Sequence, residues 1–471
     1  MEKNNKNLTI VIVIIAIIAL ISCILISCIT AGLYLYTTRG NQSEEVEVLS
    51  EPTTKGDITV TNDSESANVE NIEPIENLEL NSQTITDSQR EIIEKAEEIR
   101  GLSAKGDFNL VFRTQEQLRE QLINDLLENT TEQDFQDEND LMSLLGFIPD
   151  GMDLKSFYLD FYSEQIAGFY DTEENRMYLI DGGSVTENSL TLAHEYTHFL
   201  QFDHFDLEGK LNYNSDYCED NAEDCLIIDA VLEGDATLTE IMLSAEPDLE
   251  LYQETSSDPE TSVFDSAPKY YQNYLLFPYQ YGYDFVARFY QQGGFDAVNE
   301  LYNTPPESIE QVMHPEKYLK DKPIEVLFDP FQDVIAESCE LIYDNVFNEA
   351  DLLWFLNSAY DENWRLPDRT AKQAAEGWGG GSFQFARCDG EPIFFAKTVW
   401  DTKKDASELY SSLEEYNDKR WTASDRNQYW QGKDGEQIFI EQQDDIVYLM
   451  IASESFDPQQ LINLVQSGQS L

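Results

Sequence analysis

The residues best suited to chemistry lie within residues 190–204, which hold three of the four histidines of the chain. His194, Glu195 and His198 form an HExxH motif. Because residues i and i+4 lie on one face of a helix, both imidazoles can point at one metal ion. Glu195 can then reach the open coordination position and take a proton from a metal-bound water. The motif predicts a helix that carries two zinc ligands and a general base.

A catalytic zinc site needs a third protein ligand, and two residues compete for that position. His204 has the metzincin spacing, but that pattern needs a glycine at position 201, where this chain has Gln201. Glu233 lies in a second strong helical stretch, next to small residues that let two helices approach closely. We therefore expect His194, His198 and Glu233 to bind zinc, and His204 is the alternative.

Peptide hydrolysis produces an oxyanion, which needs one hydrogen-bond donor besides the metal, usually a tyrosine or a histidine. The candidates are Tyr281 and Tyr283 in FPYQYGYDF and His314, which lies outside the motif region. Of these, we expect Tyr281 and His314 to be catalytic. Asp229 and Asp235 lie on the helix of the proposed third ligand, and either can orient a ligating imidazole.

Several longer blocks of sequence surround these residues. HEYTHFLQFDHFDL is followed by VLEGDAT, and PYQYG and PPESIEQVMHPEKY come later in the chain. Together the blocks resemble a group of bacterial and archaeal HExxH proteins, over residues 89–440. The resemblance implies a membrane-associated, zincin-like metallopeptidase of gluzincin type, with Zn²⁺ as cofactor and a peptide or protein as substrate. The chain departs from the general gluzincin pattern at Thr237, where an aspartate usually orients a ligand.

The composition limits the partners of the chain. It has 91 acidic and 29 basic residues among 471, which gives a formal net charge of -62. A surface of this charge repels phosphate, so a general nucleic-acid binder is excluded. Hydrophobic residues make up 41% of the chain, enough for a sizeable core, and the length suits two folded domains.

Residues 8–36 form a continuous apolar stretch without a charge, long enough to span a bilayer. Lys3 and Lys6 precede it and acidic sequence follows, which favours a cytoplasmic N-terminus with the bulk of the chain outside. Cys23 and Cys28 lie in lipobox-like sequences, so a lipoprotein is an alternative, as is a cleaved signal. All three interpretations place the remaining chain outside the cytoplasm.

Four cysteines lie beyond the apolar stretch, and an even number in an oxidising compartment indicates disulfides. Cys218 and Cys225 are close together in a polar segment and are the pair we expect. Cys339 and Cys388 remain, and their bond would tie the last two domains together.

Local patterns predict the elements that position these residues. Two short strands at 165–182 precede the motif helix and form either an edge hairpin over the active-site cleft or an ordinary core hairpin. The acidic segment 128–140 is expected to be a loop. Alternating patterns between residues 383 and 465 predict the order ββαββα, with the last helix at 458–465.

These predictions define an α+β protein. Residues 1–39 form the cytoplasmic tip and transmembrane helix, and 40–88 form an acidic disordered linker. Residues 89–368 form a zincin-like metallopeptidase domain, helical with a small sheet, and 369–471 form a small accessory α+β domain. The predicted function is that of a single-pass, membrane-anchored, extracytoplasmic zinc metallopeptidase that hydrolyses peptide bonds through a zinc-bound water. The alternative is a non-catalytic, surface-anchored binding protein that keeps a zincin fold.

Overall fold

The structure is a computed structural model that describes residues 85–106, 108–165, 168–171, 176–180, 189–214, 217–218, 221–246, 263–327, 339–425, 428–433 and 435–453. The predicted apolar anchor, nearly all of the acidic linker and the predicted last helix lie outside these residues. Within them, no helix is long and apolar enough to cross a membrane.

The described residues form a mixed α/β structure with two sheets. The main helices in chain order are α1 (Asp87–Arg100), α2 (Gln115–Asn129), α3 (Glu132–Leu145), α4 (Leu154–Gln165), α5 (Ser189–Phe205), α6 (Leu207–Leu211), α7 (Ala222–Ser244), α8 (Val263–Ser266), α9 (Lys269–Phe277), α10 (Tyr283–Leu301), α11 (Ile309–Met313), α12 (Glu349–Asn357), α13 (Asp368–Ala375) and α14 (Lys403–Arg420). The strands are β1 (Leu110–Arg113), β2 (Gly168–Asp171), β3 (Arg176–Ile180), β4 (Cys339–Val346), β5 (Trp378–Cys388), β6 (Glu391–Trp400), β7 (Thr422–Ala423), β8 (Tyr429–Gln431), β9 (Gln437–Gln443) and β10 (Ile446–Ala452).

A three-stranded sheet in the order β1-β3-β2 precedes helix α5, which carries the HExxH motif. β1 pairs in parallel with β3, whereas β2 and β3 form the antiparallel hairpin that the sequence predicts. β2 is therefore an edge strand, and it packs along α5. The ring of Tyr170 on β2 lies against the rings of Phe199 and Phe202 on α5.

Helix α7 lies at the centre of the helical layer, where it packs against α5, α10 and a π-helical segment, Pro278–Gly282. The backbones meet at Gly234 of α7 and Gly282, where a Cβ on either residue would overlap backbone atoms of the other element. The sequence suggested that small residues near Glu233 let α7 approach the motif helix. Gly234 instead lets α7 approach the π-helical segment.

The acidic segment 128–140, which was expected to be a loop, is largely helical. Helix α3 begins within it, at Glu132. Thr131 caps the helix through a reciprocal capping box with Asp134, which satisfies backbone amides of the first turn. Phe135 packs into the core on the buried face. Arg387 forms ion pairs with carboxylates of α3, which offset part of the negative charge. Local capping and burial therefore outweigh the repulsion that favoured a loop.

Seven antiparallel strands form the second sheet, in the order β4-β5-β6-β10-β9-β8-β7. The strands predicted from alternation overlap β5, β6, β9 and β10, and the helix predicted between them lies within α14. β4 pairs with β5 along the edge of the sheet. The sheet thus begins at Cys339, ahead of the predicted domain boundary at residue 369.

Two disulfides, Cys218–Cys225 and Cys339–Cys388, confirm the expected pairing. The second bond joins directly paired positions on β4 and β5. The expectation that it ties two domains together is therefore wrong, because both cysteines belong to one sheet.

One apolar cluster runs through both parts of the chain. It includes Leu226 of α7, Trp354 of α12, Trp378 of β5 and Leu449 of β10. The helical part and the sheet therefore pack on a continuous core rather than on separate ones.

Candidate metal centre

Helix α5 holds the motif rigidly because nearly every side chain in its first three turns is buried. One face carries Leu192, Tyr196 and Leu200, which pack with Ile92 of α1 and Met177 of β3 in an apolar cluster. Helical spacing then turns His194 and His198 toward α7 on the opposite side. The histidines are 0% and 5% exposed.

His194, His198 and Glu233 converge on one buried point between α5 and α7. The Nε2 atom of His194 lies 3.0 Å from Oε2 of Glu233 and 3.1 Å from Nε2 of His198. The Nε2 atom of His198 lies 3.4 Å from the same carboxylate oxygen. All three ligand atoms lie within 4.8 Å of one another. Two imidazole nitrogens and one carboxylate oxygen are a donor set that suits Zn²⁺.

Each imidazole is oriented through its second nitrogen. Glu240 Oε2 lies 3.3 Å from Nδ1 of His194, and Gln201 Oε1 lies 2.8 Å from Nδ1 of His198. Both oxygens can accept a hydrogen bond from Nδ1–H, and a metal ion at the common point would then bind the two Nε2 atoms. Glu240 thus supplies the carboxylate that Thr237 lacks.

Glu240 and Gln201 were not predicted from the sequence as orienting groups. Glu240 lies seven residues, or about two helical turns, after Glu233, and therefore on the same face of α7. Gln201 lies seven residues after His194 and therefore on the same face of α5. An acidic or amide side chain at this spacing from a proposed ligand was the available signal.

The two aspartates expected to orient a ligand have other partners. Asp235 forms a fully buried ion pair with Arg100, with 2.8 Å between Nε and Oδ1, and accepts a hydrogen bond from Tyr302. Asp235 also accepts a hydrogen bond from Nε2 of Gln201. Because Oε1 of Gln201 bonds to His198, Asp235 is connected to His198 only through this amide. Asp229 accepts a hydrogen bond from the Tyr213 hydroxyl. Neither carboxylate orients an imidazole directly.

Opposing effects set the pKa values at the triad. Burial lowers the pKa of His194, but hydrogen bonds with Glu233 and Glu240 outweigh it and raise this pKa to about 10. Burial raises the pKa of Glu233, but the imidazoles of His198 and His194 outweigh it and lower this pKa to about 2. The negative charge around the two imidazoles therefore stabilises a cation at this point.

Glu195 is fully buried beside the triad, on the same helix as both histidines. Its charge acts to raise the pKa of both His194 and His198, which places its carboxylate within electrostatic reach of the two rings. The role of Glu195 as a general base stays a prediction from the sequence.

The other predicted residues are engaged elsewhere. His204 lies 2.8 Å from the carbonyl oxygen of Ser103, and His314 Nε2 lies 2.8 Å from Glu349. Tyr281 stacks on Phe277 and forms a hydrogen bond with Lys372. In the described part of the chain, none of the three makes a hydrogen bond or ring contact with the triad.

Three other tyrosines lie near the triad. The ring of Tyr279 has its centroid 6.4 Å from that of His194. Tyr170 of the edge strand and Tyr213 line a small cavity together with His198 and Glu233. The edge hairpin therefore borders the site, as one of the two sequence interpretations expects.

Comparisons with known proteins concern mainly the sheet. Residues 341–461 match the family described as "Domain of unknown function (DUF8575)". This segment contains most of β4 and all of β5 to β10, but none of the triad. No curated protein and no solved structure matches the chain.

Proposed function

We propose that the chain is a zinc-dependent metallopeptidase of gluzincin type. In this proposal His194, His198 and Glu233 hold Zn²⁺, and Glu195 is the general base. The observation that carries the proposal is the convergence of two imidazoles and a carboxylate from two helices on one buried point. A bound zinc ion would acidify a water molecule and polarise the carbonyl group of a peptide.

The side chains of this chain then have defined tasks. Glu195 takes a proton from the attacking water and later passes it to the leaving amine. Glu240 and Gln201 hold the Nδ1–H groups of the two histidines, which keeps both rings in one tautomer and one orientation. Tyr279, whose ring lies near that of His194, replaces Tyr281 and His314 as our candidate for a transition-state donor.

The proposed location is the outer face of a cell membrane, with the single apolar segment at residues 8–36 as the anchor. Its support is the sequence of that segment and the two disulfides, Cys218–Cys225 and Cys339–Cys388, which indicate an oxidising compartment. The substrate would be a peptide or protein, and nucleic acid stays excluded by charge.

The second candidate is a surface-anchored binding protein in which the metal has a structural role. The near-complete burial of the triad favours it, because a peptide substrate needs an open cleft. His198 and Glu233 are only 5% and 2% exposed, and Tyr170 and Tyr213 line the small cavity beside them.

The decisive experiment compares the full-length chain with Glu195→Gln and with the matched control Glu208→Gln, an exposed position on α6. Metal content is measured by mass spectrometry, and cleavage is measured on a mixed peptide library. We expect zinc in all three proteins and a loss of cleavage of at least about 100-fold in Glu195→Gln alone.

Each outcome has a distinct meaning. Absence of zinc from the wild-type chain would refute the metal site. Zinc without cleavage by the wild-type chain would favour the structural role. Full activity in Glu195→Gln would refute the assigned base while leaving the metal site intact.

A further inference from the structure

A cavity of about 560 Å³ among the described residues lies away from the triad. It is bordered by α3, the first turn of α7, α9, β4 and β5. Glu223 at its edge precedes Glu233 by ten residues, or about 15 Å along the helix axis. The cavity is therefore a separate site, and its volume is in the range of small-molecule pockets.

The lining of this cavity combines carboxylates with aromatic rings and contains no lysine, arginine or histidine. Glu138, Glu223 and Asp351 face it from three different elements. None of the three forms an ion pair within the residues that the structure describes. Asp137, by contrast, is neutralised by Arg387.

Glu138 is the deepest of these carboxylates, with only 8% of the residue exposed. Its Oε1 atom accepts hydrogen bonds from the hydroxyls of Tyr158 and Tyr271. Its Oε2 atom is buried and has no hydrogen-bond partner among the residues that the structure describes. A buried carboxylate oxygen without a donor is costly, and a ligand that supplies an N–H group would remove that cost.

Burial also raises the pKa of each of these groups, to about 7 for Glu138, about 8 for Glu223 and about 7 for Asp351. The shifts have one cause in common, which is desolvation without a compensating positive charge. A cation bound in the cavity would lower the pKa values of these carboxyl groups again.

The arrangement of the carboxylates selects the kind of cation. Among the described residues, no three carboxylate oxygens of this lining lie within 4.8 Å of one another. The lining therefore lacks the clustered carboxylates typical of a protein calcium site. Tyr270, Tyr271 and Tyr274 line the same cavity as the acidic side chains. Their rings suit alkyl chains and the faces of ammonium groups.

We propose that this cavity binds a linear alkylammonium ligand, with ammonium groups on Glu138 and Glu223 and the alkyl chain along the tyrosine rings. A free polyamine has this chemistry in one molecule, and two neighbouring lysine side chains of a peptide supply the same two ammonium groups. The proposal is independent of the metal site and of its proposed activity.

The test is calorimetric titration of the full-length chain with spermidine, and separately with a short dilysine peptide, at physiological salt. The variant is Glu138→Gln with Glu223→Gln. The control is Glu91→Gln with Glu94→Gln, which removes the same charge from exposed positions of α1. This control is needed because so acidic a chain attracts cations generally.

We expect one saturable site in the wild-type chain and in the control. Loss of two buried charge partners should weaken binding by at least about 30-fold in the cavity variant. Saturable binding of spermidine would identify a free polyamine as the source, and binding of the peptide alone would identify a lysine side chain. Absence of saturable binding by both probes, or equal affinity in the cavity variant and the control, would overturn the proposal. Thermal unfolding of both variants checks that they are folded.

Discussion

Glu240 provides the sharpest test of how the proposed metal centre is built. Its carboxylate lies 3.3 Å from Nδ1 of His194, and the two side chains are 2% and 0% exposed, so solvent hardly screens them. A hydrogen bond between an imidazole N–H and a buried carboxylate contributes about 1.5–3 kcal/mol. That range corresponds to about 10- to 100-fold in zinc affinity, the usual effect of removing a group that orients a metal ligand.

Two substitutions of Glu240 test the lower and the upper end of this range of zinc affinity. Glu240→Gln keeps a neutral acceptor for Nδ1–H, so we expect a loss of about 10-fold in zinc affinity. Glu240→Ala leaves Nδ1–H of His194 unpaired in a buried site, so we expect about 100-fold. The assay is zinc titration in competition with a chromophoric chelator at fixed pH.

The matched control is Glu246→Gln, just beyond the end of the same helix, where the carboxylate pairs with Lys95 near the surface. This variant should bind zinc as the wild-type chain does. If both Glu240 variants retain wild-type zinc affinity, Glu240 does not orient His194 in the bound state and the reasoning fails.

Three further predictions concern other buried groups. His204→Ala should leave zinc affinity unchanged in the chelator assay, because its imidazole contacts the carbonyl of Ser103; a loss of zinc would restore the metzincin alternative. Asp235→Asn should lower the free energy of unfolding by about 3–5 kcal/mol in urea titrations, because it leaves Arg100 buried without its ion-pair partner; a change below about 1 kcal/mol would contradict this. Glu138, whose pKa burial raises from 4.5 to about 7, binds its proton more tightly in the folded state. Its contribution to stability is therefore present below pH 4.5 and lost as the pH rises through 7. The stability of Glu138→Gln relative to wild type should rise by about 3 kcal/mol between pH 4.5 and pH 8, and a difference that is constant with pH would contradict the shift.

The proposed ligand set was accessible from the sequence because it depends on helical periodicity and residue chemistry. His194 and His198 are one helical turn apart, so their common face follows from the spacing alone. Glu233 was preferred over His204 because Gln201 does not favour a sharp end to the helix. The structure brings the two histidines and Glu233 together, whereas zinc binding and hydrolysis remain proposals.

The transition-state donor was less accessible, because tyrosine is common in this chain and most of its rings pack in the core. Tyr279, Tyr281 and Tyr283 alternate in one short stretch. A π-helical turn there decides which ring faces the triad, and nothing in the local pattern indicates that turn. The sequence alone therefore offered no way to prefer Tyr279 over Tyr281.

By itself the sequence determined the motif helix, the three residues proposed as ligands and most strands of the large sheet, because local periodicity and residue chemistry specify them. Only the tertiary structure decided that Glu240 and Gln201 orient the two imidazoles, because this depends on how α5 and α7 pack against each other. Long-range pairing likewise placed β4 in the large sheet. The acidic cavity depends on both the sequence and the tertiary structure. The sequence supplies its carboxylates, which lie on α3, α7 and α12, and only folding brings these helices together.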